Sequence, residues 1–290
     1  MTIQIRRVYP LIRLTTAVAL MTLGCSAMWA GAIVLEPIAN EFNTGRGNSS
    51  LIYGTFMIGF ALGGVVMGRL ADRMGIMIPA LIGSLALPAG FYLAAHASSI
   101  LEISLAFSLL CGFLGSSFSM APLIADISHW FNRRRGLAVG IAFSGSYVAG
   151  AIWPPILQRM FDAQGWRESF IDLALLTLIL MALLSLMLYP RPPTTEQLPT
   201  AGSANSNLTK SSISAGTLQS LICLAGFGCC VAMAMPQIHI VPYVMDLGHP
   251  AIRGAEMLGL MLGFGVISRV GSGWLSDRIG GLATLLLGSA

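Results

Sequence analysis

Long apolar blocks separated by short polar turns set the pattern of this chain. Runs of spanning length occur at Leu14–Leu35, Leu51–Leu70, Ile78–Ala95, Ile100–Ile124, Leu137–Leu157 and Ser169–Leu188. Each is near the roughly 20 residues that cross the ~30 Å hydrocarbon core of a bilayer. There a helix satisfies its own backbone hydrogen bonds. After the sixth run the texture changes. From Pro190 to Ser214 the chain is rich in Pro, Ser, Thr and Asn, the composition of a flexible linker. Two further spans follow, Thr217–Val244 and Ala255–Leu275, and a ninth run begins at Leu282. That last run reaches only about 13 Å at 1.5 Å per residue and cannot cross. The pattern predicts an all-α membrane protein: a six-helix bundle over residues 1–189, a cytoplasmic linker over 190–216, and an incomplete second bundle over 217–290. Six helices, a linker, two helices and a stub read as a six-plus-six protein cut short.

Composition sharpens this picture. Charged residues make up 10% of the chain and hydrophobic ones 55%, with a mean hydropathy of +0.78. These values exclude a soluble globular domain. The net charge of +4 is small. Its arginines sit in turns rather than on one polar face, so the partner implied is a lipid bilayer and not nucleic acid. With the N-terminus cytoplasmic, twelve basic residues fall on that side: Arg6, Arg7, Arg13, Arg69, Arg73, Arg133, Arg134, Arg135, Arg191, Lys210, Arg269 and Arg278. Arg46, Arg159, Arg167 and Arg253 fall on the other. This asymmetry predicts a cytoplasmic N-terminus in a plasma or bacterial inner membrane. Leu23-Gly24-Cys25 faintly resembles a lipoprotein cleavage site, but the apolar stretch continues to Leu35. That is too long for a signal-peptide core, so a retained first helix is expected. The five cysteines lie inside apolar runs without a zinc-like CxxC pair. The four histidines are scattered, and neither HExxH nor GxSxG occurs. No metal, cofactor or enzyme chemistry is implied.

One short motif occurs twice. Gly68-Arg69-Leu70-Ala71-Asp72-Arg73-Met74-Gly75 follows the second span, and Gly273-Trp274-Leu275-Ser276-Asp277-Arg278-Ile279-Gly280 follows the eighth. Duplicated halves are a feature of secondary transporters. Gly68, Gly75, Gly273 and Gly280 permit tight turns and close approach. Asp72 can accept backbone N–H groups at a helix N-terminus or pair with a cation, and Asp277 is its counterpart in the second copy. Arg73 can reach an acid at the cytoplasmic end of the fourth span, for which Asp126 is the candidate, and Arg278 is its counterpart in the second copy. A simple topogenic turn is the competing reading. The first copy resembles the signature loop of the major facilitator superfamily, and the second matches its second-half counterpart. The resemblance covers essentially the whole chain and implies a major-facilitator-type bundle, in which this loop is a conformational latch. Ile76 and Met77 stand where that family often has basic residues.

Ile127-Ser128-His129-Trp130-Phe131, the cluster Arg133-Arg134-Arg135 and the run Gly136-Leu137-Ala138-Val139-Gly140-Ile141-Ala142 together resemble the monocarboxylate transporters and the oxalate–formate antiporter group. Gly136, Gly140 and Ser144 recur every four residues, which gives the fifth helix a small-residue face for close packing.

Arg269 is the sharpest functional candidate. It lies eight residues before Asp277, about 12 Å deeper along the helix. A cation at that depth is costly and usually faces an interior cavity. Aligning Asp72 with Asp277 sets Arg269 against Gly64, so the halves share a loop but not this residue. Arg269 also resembles, in its segment, the arginine that in the monocarboxylate transporters is associated with the substrate carboxylate, and a planar guanidinium suits that anion. That family commonly has an aspartate one turn earlier, where this chain has Gly265. Proton coupling and exchange with a counter-anion therefore both stay open. Snorkelling of Arg269 to the interface is the alternative. Pro236-Gln237-Ile238-His239 and Pro242 are expected to interrupt the seventh helix, with His239 either lining the cavity or standing at its outer end. Glu36-Pro37 is expected to end the first helix. Trp29 and Tyr147 are candidate path residues, as aromatics of helices one and five are in the family. The expectation is a secondary transporter of small organic anions, with monocarboxylates implied by the resemblance, working by alternating access. The alternative is a truncated, non-transporting remnant or a partner-dependent membrane protein.

Overall fold

The computed structural model describes residues 3–131, 134–189 and 215–289, and every regular element among them is helical. The first span is built from α1 (Ile3–Gly24) and α2 (Ser26–Ile33), and the short α3 (Leu35–Glu41) follows at its outer end. The second and third are α4 (Arg46–Met74) and α5 (Met77–Ala95). The fourth comprises α6 (Ile100–Leu105), a π-helical stretch Ala106–Ser116, a 3-10 turn Ser117–Ser119 and α7 (Ala121–Trp130). Then come α8 (Arg135–Gln164), α9 (Trp166–Leu186), α10 (Ala215–Asp246), α11 (Ala251–Ile279) and α12 (Gly281–Ser289). Eight of these helical stretches are long and apolar enough to cross a membrane. The chain is an integral, multi-pass, all-α membrane protein. The linker expected at 190–216 lies almost wholly outside the described residues, and α10 begins inside it, at Ala215.

Proline placement explains where the helices depart from the apolar pattern. The first span ends at Ile33, just before Glu36-Pro37, and Pro37 belongs to the short helix that follows. It sits in the first turn of α3, where its missing N–H has no intrahelical role. Pro236 and Pro242, by contrast, do not interrupt the seventh span; α10 runs through both. A proline inside a spanning helix is tolerated when neighbouring groups and local adjustments satisfy the freed carbonyls. The fourth span is the irregular one. It widens into a π-helix and tightens into a 3-10 turn, then restarts at Ala121 with Pro122 at the head of α7. Serine hydroxyls take up carbonyls at the break. Ser117 Oγ donates to Phe113 O at 2.6 Å and Ser119 Oγ to Ser116 O at 2.6 Å.

The first half packs around an aromatic cluster. Phe170 of α9 touches Phe91, Phe107, Phe161 and Trp166 at centroid separations of 5.5–5.9 Å. Away from the N-terminal face, Arg167 donates to Glu41 at 2.7 Å and to the Ala95 carbonyl at 2.6 Å. Spans one, three and six are thereby joined at that end.

The halves meet where α8 and α11 lie antiparallel. Gly136, Gly140 and Ala151 of α8 face Gly273, Arg269 and Gly259 of α11. The backbones are close: a Cβ on Gly140 would stand 2.8 Å from the Arg269 carbonyl oxygen. Small residues allow such approach where no hydrophobic effect drives helices together. α10 leans on the other end of α11, with Val241 against Gly254.

Candidate functional site

Phe143 and Tyr147 are four residues apart on α8 and so share one face. Arg269 reaches them from α11. Its Cα is level with Gly140, but helical side chains lean toward their own N-terminus, which carries the guanidinium up to the aromatic pair. Arg269 Nη2 donates to Tyr147 Oη at 2.8 Å. Its Cζ lies 4.9 Å from the Phe143 ring centroid and 5.0 Å from that of Tyr147. Among the described residues, no carboxylate pairs with Arg269. Two aromatic faces and a phenol hold the cation without neutralising it.

Gly265 has a physical reason. The Tyr147 ring occupies the space into which a side chain at 265 would project. The position that resemblance would fill with an acid is therefore taken by an aromatic ring from the other half.

Trp29 lies close by. It is 3% exposed, and its indole packs against Gly150 of α8, as does the Leu262 side chain of α11. Gly150 is about 4.5 Å along α8 from Tyr147. The Trp29 indole N–H is buried without a hydrogen-bond partner among the described residues. Two donors lacking a full complement, one charged and one neutral, thus stand on the same side of the seam. His239 is not brought to them. It is exposed, two residues before Val241, which is level with Gly254. Arg269 lies fifteen residues further along α11, about 22 Å.

The repeated motif has two fates. In the second copy, Asp277 Oδ1 accepts the Gly136 N–H at 2.7 Å and Oδ2 accepts the Leu137 N–H at 2.8 Å. These are orphan amides at the N-terminus of α8, where a carboxylate also complements the helix dipole. Arg278 stacks on Trp274 at 4.0 Å. Gly280 ends α11 at φ +89°, and Gly75 ends α4 at φ +88°. Both copies therefore close in the left-handed backbone that glycine adopts most readily.

The first copy lacks the ion pair expected of it. Asp126 is taken by Arg13, not Arg73. Arg13 Nε and Nη2 meet the two Asp126 oxygens at 2.7 and 2.8 Å. Arg13 is 1% exposed, lies 4.8 Å over the Trp130 ring, and also donates to Tyr9 Oη and the Leu188 carbonyl. A buried, bidentate and stacked guanidinium leaves Asp126 no use for a second cation. Asp72 and Arg73 are exposed. With Gly68, Gly75, Asp126 and His129 they line an open groove of ≈ 560 Å³.

Phe143 and Arg13 were not among the expected site residues. The four-residue spacing of Phe143 and Tyr147 was a readable signal. Arg13 read as one more topogenic charge.

Comparison with known proteins bears on the whole chain. It is 30% identical to human monocarboxylate transporter 11 over 217 residues, which is 73% of this chain and 45% of the relative. Against monocarboxylate transporter 13 of Bos taurus the identity is 28% over 225 residues, covering 78% and 51%. Against the MFS-type transporter pytF of Aspergillus terreus it is 28% over 222 residues, covering 76% and 72%. The chain spans about half the length of the two monocarboxylate transporters. The Major Facilitator Superfamily profile matches residues 15–290, and with eight apolar spans and a motif repeated at equivalent places, the chain belongs to the major facilitator superfamily.

Proposed function

We propose that this protein serves secondary active transport of small organic anions, monocarboxylates being the best-fitting class, with Arg269 as the carboxylate-binding residue. One observation carries the reading: Arg269 bridges the two halves with no acidic partner among the described residues. An uncompensated guanidinium inside a span is costly, and an anionic substrate supplies the missing charge. The unpartnered Trp29 N–H supplies a second donor. The relatives named as monocarboxylate transporters support the class of substrate, and membership of a transporter family speaks against an enzyme.

The mechanism follows from the seam. With the N-terminus cytoplasmic, as the arginine distribution indicates, Asp277 closes the cytoplasmic end of the seam by capping α8. Tyr147 holds Arg269 across the seam deeper in. An arriving carboxylate competes with Tyr147 Oη for Arg269 Nη2. Each inter-half contact loosened in this way lowers the cost of separating α8 from α11, and that separation is the alternating step. Because Gly265 supplies no acid beside Arg269, a counter-anion suits the return step better than a coupling proton does. Otherwise the bare cation would have to make the return unneutralised.

The test is uptake of labelled lactate by cells expressing the protein, beside Arg269→Ala and Arg269→Lys variants whose membrane insertion is verified. Loss in the alanine variant with partial activity in the lysine variant is expected. Uptake by inserted Arg269→Ala equal to that of the unaltered protein would refute the assignment.

A further inference from the structure

The side of the α8/α11 seam away from Arg269 carries a second feature. An open groove of ≈ 730 Å³ runs there between Ala151, Ile152 and Ile156 of α8 and Gly259, Gly263 and Phe264 of α11. At 100° per residue, Ile152 and Ile156 lie on the opposite side of α8 from Phe143, and Phe264 lies well round α11 from Arg269. The groove therefore faces the bilayer rather than the clamp. From Glu256 at one end to Ile267 at the other, its α11 wall runs about 16 Å, close to half of a ~30 Å hydrocarbon core. Its length matches one leaflet, on the face opposite the N-terminus.

The rim carries charge of both signs, and the floor is apolar. Arg159 Nη2 lies 3.9 Å from Glu256 Oε1, and Arg253 Nη1 lies 4.0 Å from Glu256 Oε2. Both arginines are about seven-tenths exposed and Glu256 is 42% exposed. At these separations the ion pairs are weak and open to exchange. Two guanidinium groups around one carboxylate leave one positive charge over.

We infer that this groove seats one acyl chain of a phosphatidylethanolamine-type lipid, with its phosphate between Arg159 and Arg253 and its primary ammonium on Glu256. The chemistry discriminates among headgroups. A phosphate alone satisfies the arginines but faces Glu256 with a like charge. A quaternary ammonium restores charge balance but has no N–H to donate to the carboxylate. A primary ammonium has three. The apolar floor takes the chain by the contacts that fill any such trough, and Gly263 and Gly259 provide its depth. The lipid touches both halves at once, so it joins them on the bilayer side of the seam.

The experiment places the purified full chain in nanodiscs of equal parts phosphatidylethanolamine and phosphatidylcholine with matched acyl chains. Native mass spectrometry then counts the lipids retained on release. Phosphatidylethanolamine is expected to exceed phosphatidylcholine by about threefold, the scale of one exposed ion pair. Stepwise N-methylation of the headgroup should erase that preference. Glu256→Gln should bring the ratio to one with lipid still bound. Gly263→Leu, whose Cβ has room 3.9 Å from the Ala151 methyl, fills the groove and should lower retention of both lipids. Circular dichroism establishes that each variant is folded, and the methylation series needs no variant at all. Retention in the bulk ratio overturns the inference, as does a preference that survives Glu256→Gln or retention unchanged by Gly263→Leu. A chain that emerges as a dimer without bound lipid overturns it in favour of a second copy at this face.

Discussion

Asp126 and Arg13 offer a quantitative test of how the first half is held together. The pair is bidentate, with side chains 1% and 8% exposed. Removing either partner leaves a buried charge uncompensated, which costs about 3–5 kcal/mol. Asp126→Leu leaves Arg13 its cation–π contact with Trp130 and its bonds to Tyr9 Oη and the Leu188 carbonyl, so it belongs at the lower end of that range. Arg13→Met also loses the donors to Tyr9 Oη and the Leu188 carbonyl, so it belongs at the upper end. Replacing both, as Arg13→Met with Asp126→Leu, removes both charges together. A buried pair exchanged for apolar residues of similar volume is often neutral or stabilising. The double variant should therefore be more stable than either single one, so the coupling energy should exceed the larger single cost of about 5 kcal/mol, far beyond the ~0.5 kcal/mol scatter of independent sites. Graded unfolding in mixed detergent micelles, read by circular dichroism and tryptophan fluorescence, gives all four corners of the cycle. Arg73→Ala is the control and should lie within about 0.5 kcal/mol of the parent, as for an exposed side chain. Additive single and double effects, or an Arg73→Ala cost matching that of Arg13→Met, would refute the argument.

Two further outcomes are expected. Asp277→Ala removes the cap on the first amides of α8, worth about 1 kcal/mol. It should widen the distance between spin labels at Leu137 and Val270, measured by pulsed electron resonance, and an unchanged distance distribution would count against the latch. Trp29→Phe deletes the unpartnered indole N–H, so relief of its desolvation offsets part of the lost ring volume. The unfolding midpoint should move little while the KM for a transported monocarboxylate rises severalfold. An unchanged KM would remove Trp29 from the binding path.

The amino-acid sequence by itself determined the number and positions of the spans, the repeated loop and the family. The reason is that crossing hydrocarbon requires an uninterrupted apolar run with its backbone bonds closed locally, and such runs are visible one residue at a time. Arg269 was legible for the same reason, as a charge that its surroundings did not justify. The partners were not legible. Arg13 with Asp126, Asp277 with Gly136 and Arg269 with Tyr147 are separated by 113, 141 and 122 residues. Each depends on how one helix is rotated and how closely another approaches. A motif comparison assigned Asp126 to Arg73 because both lie at one end of adjacent spans. Tertiary structure assigned it to Arg13, whose side chain is buried at the same junction. The π-helical widening of span four was hidden in the same way, because the same apolar letters serve either helix. Only the packed structure decided which turn was widened and which donors among the described residues went unpaired. Those outcomes depend on contacts between helices, while apolar periodicity describes each helix alone.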